Sequence, residues 1–90
     1  MGQRESGGNK VAEKICVYGT DWCGDTIRAR RCLAKLGIEY TWFDIDKDKD
    51  ACSLVERVNK GKRPVPTILF PDGSILVEPS DSELEKKCKA

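Results

Sequence analysis

The feature that most constrains this chain is an alternation of two hydrophobic periods, punctuated each time by glycine, proline or a charged loop. Ile15-Cys16-Val17-Tyr18 is short, apolar and β-prone, and reads as a buried strand. Gly19-Thr20-Asp21 breaks it. From Cys23 to Leu36 the period turns helical, with Ala29, Cys32, Leu33 and Leu36 at i, i+3, i+4 and i+7. Gly37 then ends the helix as a C-terminal cap residue. Tyr40 to Ile45, dense in aromatic and β-branched residues, reads as a second strand. The charged loop from Asp46 to Asp50 offers Asp48 as the N-cap of another helix. Its apolar positions are Ala51, Leu54, Val55 and Val58, and Gly61 closes it. Val65 to Phe70 is a third strand near whose start a proline is tolerated. Pro71-Asp72-Gly73 makes a turn into a fourth strand, Ser74 to Val77, because proline fixes φ and glycine accepts positive φ. Ser80-Asp81-Ser82-Glu83 is a capping box that starts a last helix through Leu84 and Cys88.

The order β-α-β-α-β-β-α predicts an α/β fold, a four-stranded mixed sheet flanked by helices. The first β-α-β unit is expected to be parallel with a right-handed crossover, and the last two strands an antiparallel hairpin. Ninety residues suffice for one such domain. The leading MGQRESGGN holds three glycines and almost nothing apolar, so residues 1–13 are expected to be a disordered tail and residues 14–90 the domain. No apolar run follows the N-terminal charges, and none is long enough to span a bilayer. The expectation is a soluble, cytoplasmic monomer. Sixteen Lys and Arg stand against fifteen Asp and Glu, so no global field recruits nucleic acid or a membrane. The local basic runs, Arg28-Arg30-Arg31-Lys35 and Lys60-Lys62-Arg63, read as solvated faces unless they border a site.

Cysteine is the unusual component. There are five, Cys16, Cys23, Cys32, Cys52 and Cys88, unevenly spaced and with no C-x-x-C pair. That pattern argues against a disulfide scaffold. With no histidine, a structural zinc site and Cys–His chemistry are both unexpected, and no metal ligands are assigned. Cys23 differs from the rest. It sits in Trp22-Cys23-Gly24-Asp25-Thr26, where a strand ends and a helix begins. Unpaired backbone N–H groups and the positive helix end favour a thiolate at such a position. Thr26 is placed to offer its hydroxyl or N–H to the sulfur, and Gly24 lets a partner approach closely. Asp25 opposes the thiolate, though it is expected to point to water. Read from local sequence alone, Cys23 is equally a small hydrophobe that happens to start a helix.

Tyr18-Gly-Thr-Asp-Trp-Cys-Gly-Asp-Thr26, together with Arg63-Pro-Val-Pro-Thr67 and the Phe-Pro-Asp-Gly hairpin, resembles the glutaredoxin family and its actinobacterial mycoredoxin-like branch. The likeness runs from about Lys14 to Cys88. It implies a thioredoxin-like fold and a thiol–disulfide oxidoreductase with Cys23 as its catalytic thiol. It implies that Trp22 covers the thiol and presents a flat surface to substrate. It also implies that Pro66 is cis and faces Cys23, leaving the Val65 backbone to pair with a peptide or with glutathione. Without the resemblance, Pro66 is an ordinary trans proline. Carried over, Arg63 meets the glycyl carboxylate of glutathione, and the Ser80, Asp81 and Ser82 backbone meets the γ-glutamyl carboxylate. Plain helix capping by Ser80 and Ser82 is the competing role.

The sequence departs from the family at three places. Pro79-Ser80 replaces a Gly-Gly pair, Thr20 replaces an upstream lysine, and Thr26 replaces the second cysteine of dithiol members. The resemblance therefore implies a monothiol route, in which glutathione or a similar thiol is co-substrate and glutathionylated or disulfide-containing proteins are partners. Cys32 and Cys16 are expected in the core; Cys52 and Cys88 are candidates for exposure. Trp42 and Phe43 are expected to be strand packing. Two alternatives stay open: a [2Fe–2S]-carrying monothiol glutaredoxin, for which C-G-D-T lacks the Phe and Ser of C-G-F-S, and a thioredoxin-fold electron donor or protein-binding module.

Overall fold

The computed structural model describes residues 14–89, so the expected tail at 1–13 lies outside the described residues. The elements are β1 (Ile15–Gly19), α1 (Gly24–Lys35), β2 (Tyr40–Asp44), α2 (Lys49–Val58), β3 (Thr67–Leu69), β4 (Ile75–Val77) and α3 (Asp81–Lys89). The sheet runs β2-β1-β3-β4. β1 and β2 are parallel, with Val17 opposite Trp42, whereas β1–β3 and β3–β4 are antiparallel.

Alternation along β1 creates two cores. Ile15 and Val17 face α1 and α3, where they join Ala29, Cys32, Leu33, Ile68, Phe70 and Leu84. Cys16 and Tyr18 face α2, among Ile45, Ala51, Val55, Phe43 and Leu69. This follows from the period of two in a strand buried on both faces. Val17, Leu33, Val55, Ile68 and Leu84 are fully buried, each contributing about 1.5–3 kcal/mol from transfer out of water. Trp42 and Phe43 do pack as strand residues. Arg30 lies over the Trp42 ring with its guanidinium carbon 4.0 Å from the centroid, and Phe43 stacks on Tyr18 at 4.8 Å.

The element ends follow their caps. Asp48 accepts from the Ala51 amide at 3.0 Å and starts α2. Gly37, at φ 74°, closes α1; α2 is closed one residue earlier than expected, by Lys60 at φ 58°, with the Gly61 amide bonding the Glu56 carbonyl. Three strands are shorter than the sequence implies; β4 starts at Ile75 rather than Ser74. β3 begins at Thr67 because Pro66 has no N–H to donate, although its carbonyl still accepts from Glu78 N at 2.8 Å in register with the β3–β4 pairs. β2 ends at Asp44, whose side chain accepts from the Asp46 amide and turns the chain.

Candidate active site

The C-terminal ends of parallel β1 and β2 deliver Thr20–Cys23 and Ile45–Asp46 to one edge of the sheet. The Val65–Pro66 segment and the start of α3 complete this edge. Cys23 is the N-cap of α1, with extended backbone angles of −83° and 122°. The first helical hydrogen bond is Ile27 N to Cys23 O at 3.0 Å. The amides of Gly24, Asp25 and Thr26 therefore precede the helical ladder at the thiol. Cys23 is half-buried, and its thiol donates to the Val65 carbonyl at 3.8 Å. The Val65–Pro66 peptide is cis, and the Val65 amide has no backbone partner among the described residues. A Cβ at Gly24 would meet nothing within 4 Å, so the approach over residue 24 is open.

Trp22 is 73% exposed. Its indole N–H donates to Asp46 Oδ2 at 2.8 Å, which fixes the ring as a wall beside the thiol. A cavity of about 180 Å³ opens against that wall, lined by Thr20, Trp22, Asp46, Cys52, Arg63 and Val65 among others. Arg63 Nε donates to Glu56 Oε2 at 2.6 Å. This contact first, then the nearby charge of Cys52, holds the Arg63 pKa above its ordinary value.

Thr26 behaves differently from expectation. It is fully buried, and its hydroxyl has no partner among the described residues, so it does not support the Cys23 sulfur through its side chain. It is pressed instead against Gly19, where a Cβ would stand 2.7 Å from both Thr26 Cγ2 and Oγ1. Only its backbone N–H remains available to the thiol end of the helix. Asp25 is not simply solvated either. Arg28 joins it at 3.3 Å and Asp81 at 3.0 Å, and also reaches the Pro79 carbonyl. Arg28 thus ties the starts of α1 and α3 together, and these contacts raise its own pKa.

At α3 the capping box is closed. Ser80 N donates to Glu83 Oε1 at 2.8 Å, and Glu83 N donates to Ser80 Oγ at 3.1 Å. The Ser80 amide expected to meet a carboxylate is therefore already engaged. The backbone of Asp81 and Ser82 remains, next to the Asp81 carboxylate that Arg28 partly offsets.

The glutaredoxin family model matches residues 15–75, a span that includes the thiol, the Val65–Pro66 segment and the hairpin turn. The chain belongs to the glutaredoxin family. Mycoredoxin 1 of Corynebacterium glutamicum is 38% identical over 77 residues, covering 84% of this chain and 94% of that protein. A protein named as a glutaredoxin in Mycobacterium tuberculosis is 38% identical over 77 residues, covering 86% of this chain and 92% of its own. The solved glutaredoxin of Archaeoglobus fulgidus superposes with TM-score 0.73 at 19% identity, over 93% of this chain and all of that one. That of Methanosarcina mazei gives 0.69 at 21%, over 84% of this chain and 78% of its own. These two likenesses bear on the fold, which is thioredoxin-like. This glutaredoxin is a thiol–disulfide oxidoreductase.

Sequence reasoning missed Asp46, Glu56 and the bridging role of Arg28. Asp46 had a readable signal, since the loop after the second parallel strand opens at the same sheet edge as the loop after the first. Glu56 had none, because its tie to Arg63 depends on how the chain returns from α2. Among the described residues, no helix is long and apolar enough to cross a membrane.

Proposed function

We propose that this glutaredoxin reduces mixed disulfides of a low-molecular-weight thiol, of which glutathione is the reference compound, by a monothiol mechanism through Cys23. The observation that carries this is the pairing of one helix-capping thiol with a buried threonine at the neighbouring family position. The Cys23 sulfur stands at the helix N-terminus against the Val65 carbonyl, while Thr26 supplies no second thiol.

In the first step the Cys23 thiolate attacks the low-molecular-weight sulfur of the mixed disulfide. A Cys23 S–S bond forms, the substrate disulfide breaks, and the protein thiol leaves as thiolate and takes up a proton. A second molecule of the small thiol then attacks the small-thiol sulfur of the Cys23 adduct, releasing the disulfide of two small thiols and Cys23 thiolate. The net exchange turns the mixed disulfide and one small thiol into the free protein thiol and the disulfide of two small thiols, the proton of the small thiol passing to the protein thiolate. The unpaired Val65 amide suits the backbone of a peptide-like thiol as a short added strand. Arg63 suits its carboxylate. The Asp81–Ser82 backbone at the head of α3 suits a second carboxylate, with Ser80 acting as the cap. The Gly24 approach and the Trp22 face leave room for the disulfide-bearing protein.

The test incubates reduced protein with a glutathionylated peptide and excess glutathione, and follows peptide release beside Cys23→Ser. Release lost in the variant supports the mechanism. Equal release by both proteins rejects it, and no release from folded wild type rejects glutathione as the small thiol.

A further inference from the structure

The sheet order β2-β1-β3-β4 leaves an edge at β2 and another at β4. A bare strand edge invites pairing with another chain, and proteins blunt edges with short strands, lysine, proline or bulges. β4 is blunted: it is three residues long and runs into Glu78 at φ 50° and then Pro79. β2 is not. Tyr40-Thr41-Trp42-Phe43 holds no charge and no proline, and the strand pairs with β1 in unbroken parallel register. Its flanking carboxylates, Glu39 and Asp44, are each met by a lysine, Lys14 and Lys47, at 3.9 Å.

Beside this edge lies a shallow groove of about 330 Å³, lined by Ile27, Arg30, Arg31, Ala34 and Tyr40. Ile27 is 41% exposed. Arg30 is held in place, with its guanidinium carbon 4.0 Å from the Trp42 ring centroid and its Nε donating to the Tyr40 hydroxyl at 3.1 Å. Its Nη atoms meet no acceptor among the described residues, and neither does Arg31. Arg28 and Arg63, by contrast, are each tied to carboxylates. A guanidinium stacked on an aromatic ring with its Nη atoms free is preorganised for a carboxylate. The run Arg30-Arg31 therefore borders a groove that lacks its counter-charge.

We propose that β2 and this groove dock an extended acidic segment of the protein that carries the disulfide to Cys23, added as a further strand beside β2 with its carboxylates on Arg30 and Arg31. The inference rests on the reading that Cys23 exchanges disulfides with a protein substrate. Main-chain hydrogen bonds to β2 hold the segment, and its alternate side chains fall on the α1 side of the sheet, where the two guanidiniums select acidic ones. Ile27 lies one turn of α1 beyond Cys23, about 6 Å along the helix axis, and β2 ends at the sheet edge that holds the thiol. A segment docked here leads its own chain toward the sulfur. Charge disfavours the other occupants. A second copy pairing through β2 would set Arg30 and Arg31 against their own counterparts. Residues 1–13 carry Arg4 and Lys10 beside Glu5 and Glu13, and so bring no net negative charge.

The test measures binding of a short fluorescent peptide, alternating threonine with glutamate, to the full chain carrying Cys23→Ser. Peptides with glutamine or lysine in place of glutamate run beside it. The acidic peptide is expected to bind severalfold more tightly than the glutamine peptide, and the lysine peptide more weakly still. Arg31→Glu, at an exposed position, is expected to weaken the acidic peptide by about 3–10-fold, and Arg30→Gln to weaken it as well. Hydrogen exchange is expected to slow, on binding, at the β2 amides that do not pair with β1. Equal binding of the acidic and glutamine peptides, or unchanged binding by both variants, overturns the proposal. So does protection of every β2 amide before peptide is added, which would mean that the chain or a second copy already covers the edge. Single-stranded DNA competing as well as unlabelled acidic peptide also overturns it, since the surface would then take any polyanion. Failure of the proposed function reads separately, because Cys23→Ser has no exchange chemistry and peptide binding is scored without turnover.

Discussion

The Trp22 indole donates to Asp46 Oδ2 at 2.8 Å, joining the residue before Cys23 to the loop that follows β2. The bond fixes an otherwise exposed ring as one wall of the groove. Asp46→Ala should release the ring and raise KM for a glutathionylated peptide by roughly 3–10-fold, the worth of one hydrogen bond to a charged acceptor at an exposed site. kcat should change less, since neither residue meets the reacting sulfur. Asp46→Asn keeps an acceptor while removing a charge near Arg63, so its KM should fall at or below that of wild type. Steady-state kinetics on both variants check this; equal KM rises in both would reject the hydrogen bond as the cause.

Thr26 and Gly19 make a second close pair. Any Cβ at residue 19 collides with Thr26, and both residues are buried, so there is little room to yield. Gly19→Ala is expected to destabilise the fold by about 1–3 kcal/mol, as overpacking does. Thr26→Val keeps the shape and removes a buried hydroxyl that has no partner among the described residues. It is expected to be neutral or stabilising by up to about 1 kcal/mol. Urea midpoints measure both. A marked loss of stability in Thr26→Val would show that the hydroxyl has a partner after all.

Arg63 is held by Glu56 rather than left open to a ligand. Glu56→Gln removes the competing charge and should lower KM for glutathionylated, carboxylate-bearing substrates by roughly 2–5-fold, because exposed ion pairs are worth at most about 1 kcal/mol. Arg63→Ala should raise KM instead. The difference between the variants should shrink as salt is added, since the Debye length falls to about 3 Å at molar ionic strength. A salt-independent difference would point to shape rather than charge.

Most of the architecture could be read from periodicity, because β1 alternates and α1 and α2 repeat at helical spacing around small breakers. Gly37 and Asp48 marked two ends for reasons confined to their own backbone or first turn, whereas Gly61 was one residue off because Lys60 takes the left-handed cap of α2. The site was readable to the extent that its chemistry is local. The place of Cys23 at a strand–helix junction follows from periodicity, while its choice over the other cysteines came from the family resemblance; the Ser80–Glu83 box follows from its own spacing. What escaped depends on contacts between distant segments: Asp46 on Trp22, Glu56 on Arg63, and Arg28 across to Asp81. Thr26 is the instructive case. Its place in the motif suggested a hydroxyl turned to the sulfur, but α1 turns it inward against Gly19, a neighbour that no spacing rule names.

Tyr18 yields a prediction in pH. Its ring is buried against Phe43 and the α2 core, and burial first, then the Cys16 neighbour, pushes the phenol from 10.0 up to about 12. The unfolded chain loses this proton from about pH 10 upward, while the folded chain keeps it for about two further units. The stabilisation is therefore fully present below pH 10 and is lost as pH rises through the folded value. Its size is on the order of 2 kcal/mol. Urea midpoints for wild type and Tyr18→Phe at about pH 9 and about pH 11 isolate the contribution, because lysine titration affects both proteins alike. Wild type is expected to lose more stability over that interval than Tyr18→Phe. Equal losses would mean that the phenol ionises in the folded protein as readily as in the unfolded chain, and that the Tyr18 side of the sheet is open to water.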